Sequence, residues 1–300
     1  MKLTNSKDIY LAIGSLCILF YYFYTSIETL TYIFDGGHHG SIFSNSLDLI
    51  AGKTPYIEIF LQYGFLNTFV NSFFVILFDQ NILGIYFSTT FFYTSSIILI
   101  ALISKKFNNI YAFSFTILFC IFNHPVPEYP WPNYTAFFFL VLSIFLFDLK
   151  PSKLFCCGFL LSLSCLTREN FYYFIIPSII FISLLIYFLT KEKKNIFYLI
   201  FGFFIPLSIF FLYLLNNNIF QSWLEYQKLP FVYLESYGAS FTELLIKFIK
   251  FFIFEVPFKL GTDPQYFLIL IIIFFNIYIL IEELFFKKNH NIKVIFICLL

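Results

Sequence analysis

The chain has 300 residues, of which 60% are hydrophobic and only 12% charged, with a mean hydropathy of +0.85. Soluble domains carry about 25% charged residues, so the composition argues against a water-soluble globular enzyme and for an all-α polytopic membrane protein. The formal net charge of +1 leaves no global field to attract nucleic acid.

Apolar runs of about 20 residues mark candidate membrane crossings, and Lys and Arg mark the cytoplasmic loops between them. Lys2 and Lys7 precede a run that starts near Ile9. It is too long for a signal peptide and lacks a small-residue cleavage motif, so an uncleaved first span over 9–33 is expected, with the N-terminus cytoplasmic. Lys105-Lys106, Lys150 with Lys153, Lys191 with Lys193-Lys194, and Lys287-Lys288 with Lys293 mark further cytoplasmic loops. The spans predicted between them lie near 82–104, 110–122, 134–149, 154–166, 170–189, 195–215 and 265–286, all in one transmembrane domain over 1–300. If 57–78 crossed, every later basic cluster would fall outside. It is therefore expected to lie against the outer leaflet as a surface or re-entrant helix, beside a shorter one over 41–51 capped by Ser41 or Ser44. Residues 292–300 form an incomplete last span, expected of a truncated product or of a helix completed by another chain.

This topology gathers the unusual residues on the external face: 34–81, the loop 123–133, the turn 167–170 and the connection 216–264. The 49 phenylalanines, with abundant Ile, Asn and Lys, reflect an AT-rich genome and carry no functional meaning here. Cys17, Cys120, Cys156, Cys157, Cys165 and Cys298 lie in or beside apolar runs and are expected to be small buried hydrophobes.

The external segments have distinct chemistry. Asp35-Gly36-Gly37-His38-His39-Gly40 concentrates an acid, two imidazoles and three glycines just beyond the first span. It is either a solvated turn ending that helix or a functional island, since ionisable groups at a membrane boundary are expensive to desolvate. Ala51-Gly52-Lys53-Thr54-Pro55-Tyr56 forces a turn. Asn123 to Asn133 holds four prolines, Glu128, Tyr129 and Trp131, a rigid extended loop. In Thr167-Arg168-Glu169-Asn170, Arg168 is the only arginine of the chain. A guanidinium grips phosphate in two places.

Taken in order, these motifs form a pattern: Asp-x-x-His-His-Gly at residue 35, then Gly-x-x-Pro-Tyr-x-Glu-Ile-Phe-x-Gln-Tyr-Gly ending at Gly64, then Pro132-Asn133-Tyr134 and Thr167-Arg168-Glu169. The pattern resembles the GT-C superfamily of membrane glycosyltransferases, in the group containing protein mannosyltransferases and the lipid A aminoarabinose transferase. It covers roughly residues 5–215.

The resemblance implies a GT-C-like helical bundle with juxtamembrane helices in its first external loop. It implies transfer of a sugar from a polyprenyl-phosphate donor to a glycan, lipid or protein acceptor on the outer side. Asp35 takes the position of the general base. Arg168, with Lys228, is suited to the lipid phosphate; His38, His39, Glu58 and Glu128 are further substrate-binding candidates. No metal or other cofactor is expected, because adjacent histidines diverge in regular structure. The 216–264 loop departs from the family in having no histidine. The expected location is the bacterial inner membrane. A transporter or flippase for lipid-linked glycans is the other reading; it calls for mid-span charges and an internal repeat, and the chain has few of the first and no clear sign of the second.

Overall fold

The computed structural model describes residues 13, 14, 16, 17, 20, 21, 23–25, 28, 36–61, 63–105, 132–190, 192–236, 243 and 246. Every regular element among them is helical, and the one β-type contact is an isolated bridge between Pro55 and Ile59. Described residues between 13 and 28 are helical. The further helices are α1 (His38–Ile50), α2 (Phe65–Leu77), α3 (Leu83–Lys105), α4 (Pro132–Leu146), α5 (Pro151–Thr167), α6 (Tyr172–Thr190), α7 (Lys193–Asn216) and α8 (Phe220–Ser236). The chain divides into two compact units, Met1–Tyr213 and Leu214–Leu300.

Among the described residues, two helices are long and apolar enough to cross a membrane, Leu83–Ile103 and Lys193–Asn216. At 1.5 Å per residue, the 23 residues of α3 and the 24 of α7 reach about 35 Å. The spans expected over 134–149 and 154–166 are shorter helices of 15 and 17 residues. Both begin at prolines, Pro132 and Pro151, whose fixed φ and missing N–H suit a first helical position. The spans expected over 110–122 and 265–286, and the segment 292–300, lie outside the described residues.

Three expectations for the first and last external segments need correction. The helix placed over 41–51 begins earlier, at His38, with Gly37 at its N-cap and no side-chain cap, so neither Ser41 nor Ser44 starts it. The helix placed over 57–78 begins only at Phe65. Residues 54–61 fold instead into a tight loop: Pro55 has no N–H to offer a helix, and Tyr56 takes a left-handed φ of 65°. The connection 216–264 is not all loop, for it contains α8. Nor are all the cysteines buried: Cys157 and Cys165 are, but Cys17 and Cys156 are exposed.

Small residues set the packing in the first unit. A Cβ on Gly158 would strike the Leu199 carbonyl, and one on Gly202 would strike the Phe155 carbonyl. The two glycines thus let α5 and α7 cross backbone to backbone, as small residues do between membrane helices. On α4 and α5, the Ser164 hydroxyl donates to the Ala136 carbonyl at 2.7 Å. The Cys157 thiol donates to the Ser143 carbonyl at 3.2 Å. Ile42, Val75 and Ile85 form a buried cluster joining α1, α2 and α3.

Helix α2 packs toward one end of each long neighbour. Phe65, at its start, packs on Phe210 and Tyr213 near the end of α7. Gly64, just before it, meets the last carbonyls of α5. Phe74 and Phe78, at its other end, pack on Phe87 near the start of α3. The opposite ends of these helices carry Lys105 on α3, Lys150 and Lys153 on α5, and Lys193 and Lys194 on α7. Within this unit the lysines and α2 therefore sit at opposite ends of the bundle.

Candidate functional site

The loop before α2 and the break after α5 meet at the end opposite the lysines of α3, α5 and α7. The loop is closed by its own polar groups. The Glu58 carboxylate accepts from the Thr54 N–H at 2.7 Å, and the Tyr56 N–H donates to the Ile59 carbonyl at 3.1 Å. The Asn45 amide donates to the Phe60 carbonyl at 2.8 Å, tying the loop back to α1. Lys53 pairs with Asp48 at 2.7 Å across the preceding turn, where Gly52 has a φ of 83°.

On the other side, α5 stops at Thr167. Its hydroxyl bonds back to the Leu163 carbonyl at 2.8 Å, and Arg168 leaves the helix in an extended conformation. A single 3-10 turn over Glu169–Phe171 then leads into α6.

Gly64 locks the two segments together. A Cβ there would collide with the Leu166 carbonyl and lie 2.7 Å from the Thr167 carbonyl oxygen. No other residue fits without moving backbone. The approach seats the half-buried Arg168 guanidinium over the Tyr63 ring, 5.5 Å from its centroid. Such cation–π contacts strengthen as water is excluded. Burial holds the guanidinium below its ordinary pKa, with Tyr63 opposing. Burial likewise raises the Tyr63 hydroxyl.

Tyr56, in the same loop, is only 3% exposed. Burial pushes its hydroxyl well above the usual range; the Glu169 carboxylate and Tyr172 add to that, and the Phe65 N–H at the start of α2 opposes it. The end of the bundle thus brings together one guanidinium, one carboxylate and a wall of tyrosines.

Among the sequence-predicted residues that are described, Arg168 alone sits in this cluster. His38 occupies the first turn of α1. His39 is fully buried and packs edge-to-face on Tyr86 at 5.0 Å, so it contributes to the packing of α1 on α3. The Glu58 carboxylate is committed to its own loop. Lys228 is exposed on α8, in the second unit. Asp35 and Glu128 lie outside the described residues. Among those described, no group of three or more His, Cys, Asp and Glu side chains gathers to hold a metal. Tyr56, Gly64 and Glu169 had not been singled out, although each sits inside a motif that had been noticed.

Two results follow from this geometry. Gly64→Val should dislodge the loop from the α5 terminus, with an overpacking cost of about 1–3 kcal/mol. Limited proteolysis between residues 54 and 64 should become faster, while the same substitution at Gly40, where a Cβ meets nothing within 4 Å, should not. Equal cleavage of the two variants would show that the close approach does not hold the loop.

The second concerns pH. Glu58 is held below its ordinary pKa, first by the Thr54 N–H, so its contribution is present above the unfolded carboxylate pKa and is lost as pH falls through the lower folded value. Lys53 is raised, first by its hydrogen bond to Asp48. That contribution is complete below the unfolded lysine pKa and lost as pH rises through the folded one. The loop should therefore be most resistant to proteolysis around neutral pH and loosen in acid, and Glu58→Gln should remove the acid limb. An acid limb unchanged in that variant would assign it to another group.

Comparison with protein-family models, curated proteins and solved structures returned no match.

Proposed function

We propose that this chain is a polytopic membrane glycosyltransferase of GT-C type, which moves a sugar from a polyprenyl-phosphate donor to a glycan, lipid or protein acceptor at the external face of a bacterial inner membrane. The observation that carries this reading is the seating of the sole arginine on Tyr63, next to Glu169, at the end of the bundle opposite the lysines of α3, α5 and α7. By the positive-inside bias the lysine ends are cytoplasmic, which puts that cluster on the outer side.

The chemistry follows from the groups. An acceptor hydroxyl is a poor nucleophile and gives its proton to the Asp35 carboxylate as it attacks the anomeric carbon. A new carbon–oxygen bond forms there while the bond to the phosphate oxygen breaks. The electrons of that bond leave with the polyprenyl phosphate, whose charge Arg168 neutralises. Glu128 helps orient the sugar. Attack opposite the leaving group inverts the anomeric centre.

The test uses the full chain reconstituted in vesicles with a panel of radiolabelled polyprenyl-phosphate sugars. Release of polyprenyl phosphate, with the label passing to acceptor, is the expected result. Label that crosses the bilayer still attached to its lipid would instead identify a flippase.

A further inference from the structure

Among the described residues, four other than glycine take a left-handed φ: Tyr56, Asp79, Gln80 and Asn218. Asp79, Gln80 and Asn218 are exposed, in the turns that follow α2 and α7. Tyr56 differs from them in being buried, at 3% exposure, with a φ of 65°. In that region the Cβ of an L-residue crowds a backbone carbonyl, so a bulky aromatic is held there against its local preference. Such strain persists only where the surroundings over-determine it, and it gathers at functional sites.

The loop supplies the restraint. The Thr54 carbonyl accepts the Glu58 N–H at 2.9 Å and the Ile59 N–H at 3.2 Å, while the Tyr56 N–H closes the turn onto the Ile59 carbonyl. Ile59 and Leu61 anchor the loop on either side of the exposed Phe60. The outcome of this conformation is the aim of the phenol. Its hydroxyl accepts the Phe65 N–H. Phe65 is the first residue of α2, and Gly64 before it makes no side-chain cap, so Tyr56 takes one of the N–H groups that a helix start leaves without an internal partner. The same hydroxyl interacts with the Glu169 carboxylate and with Tyr172. Both belong to the segment after α5, whose last carbonyls press against Gly64. Tyr63, further along the loop, already carries Arg168. One loop thus sets a phenol against each of two adjacent charged residues.

Filling space needs neither the strain nor the hydroxyl. A phenylalanine at an ordinary φ would do it, with no polar atom to desolvate. We propose that Tyr56 is a positioning residue for sugar transfer: it accepts the Phe65 N–H, donates its phenol proton to Glu169, and so fixes the turn that presents Arg168 to the lipid phosphate. The positioning of Arg168 for transfer rests on the proposed function; the Tyr56–Glu169 bond stands apart from it.

The test is a double-mutant cycle in the full chain with Tyr56→Phe, Glu169→Met and the pair. Phenylalanine keeps the ring, and methionine has the length of glutamate without its acceptor oxygens. Tyr56→Phe should lower kcat by about 10-fold, the scale of one hydrogen bond to a charged group, with KM nearly unchanged. In the Glu169→Met background the same change should lower kcat no further, and the unfolding midpoint in detergent should fall by less than the sum of the two single losses. Effects that multiply in kcat and add in the midpoint would make Tyr56 a space-filling residue and overturn the proposal, as would full kcat in Tyr56→Phe. A coupled midpoint in a chain that transfers no sugar from any polyprenyl-phosphate donor would end the enzymatic reading, and the positioning role with it. Transfer with uncoupled substitutions would end only this inference.

Discussion

Replacing Arg168 by alanine is expected to reduce sugar transfer by about 10²–10³-fold, the loss typical of removing one preorganised charge-stabilising donor. The leaving group of the proposed reaction is a lipid phosphate, and Arg168 is the only guanidinium in the chain. Its half-buried position over Tyr63 removes much of the water that would screen it, so its charge acts more strongly than at an open surface. The loss should fall mainly on kcat if the contact tightens as the phosphate leaves, and on KM if it only binds the donor. Arg168→Lys should recover little, because an ammonium neither stacks flat on the Tyr63 ring nor offers two parallel donors to phosphate. Tyr63→Phe keeps the ring and should transfer nearly as well as the parent chain. Rates must be compared at equal amounts of folded protein. If Arg168→Ala lowers stability and leaves the rate per folded molecule unchanged, the arginine is an anchor for the loop and the phosphate assignment is wrong.

Asp35→Asn should cost more still, about 10²–10⁴-fold, the usual contribution of a positioned general base. Asparagine has nearly the shape of aspartate but cannot take the proton of the attacking hydroxyl. Membrane insertion and yield should be unchanged, since the substitution adds no bulk and removes a charge that is costly at a membrane boundary. The pH–rate profile adds a second reading: the parent chain should lose activity as the carboxylate protonates, and the variant's residual rate should not share that limb. Transfer retained by Asp35→Asn would remove this residue as the base and move attention to Glu169, the carboxylate beside Tyr56 and Arg168.

Several parts of this protein were legible before any fold was known. The apolar runs announced helices, because a chain so poor in charge has few other ways to satisfy its backbone in an apolar medium. The helices α3, α6 and α7 fall within a few residues of the runs predicted at 82–104, 170–189 and 195–215. The lysine clusters identified one end of the bundle before the helices were packed. Arg168 stood out because it is the sole arginine, between two apolar runs.

The errors have local causes. Apolar character over 57–78 looked uniform, but Pro55, the left-handed Tyr56 and the Glu58-to-Thr54 hydrogen bond spend the first part of that run on a loop. Hydropathy cannot see such a turn, since it reads side-chain polarity and not backbone hydrogen bonding. Glu58 drew attention as an acid near a membrane, yet its oxygens serve the Thr54 N–H. His39 drew attention beside His38, yet a helical turn points the two in different directions and buries His39 against Tyr86.

Composition and the order of charges, then, determined that the described chain would be helical and where its long apolar helices would fall, because solvation of side chains and backbone depends on sequence alone. Only the tertiary structure decided that residues 56 and 63 would meet residues 168 and 169. That meeting depends on a contact between backbones at Gly64, more than a hundred residues from its partners. A missing side chain leaves no trace in hydropathy or charge, and its consequence exists only once the two segments are folded against each other.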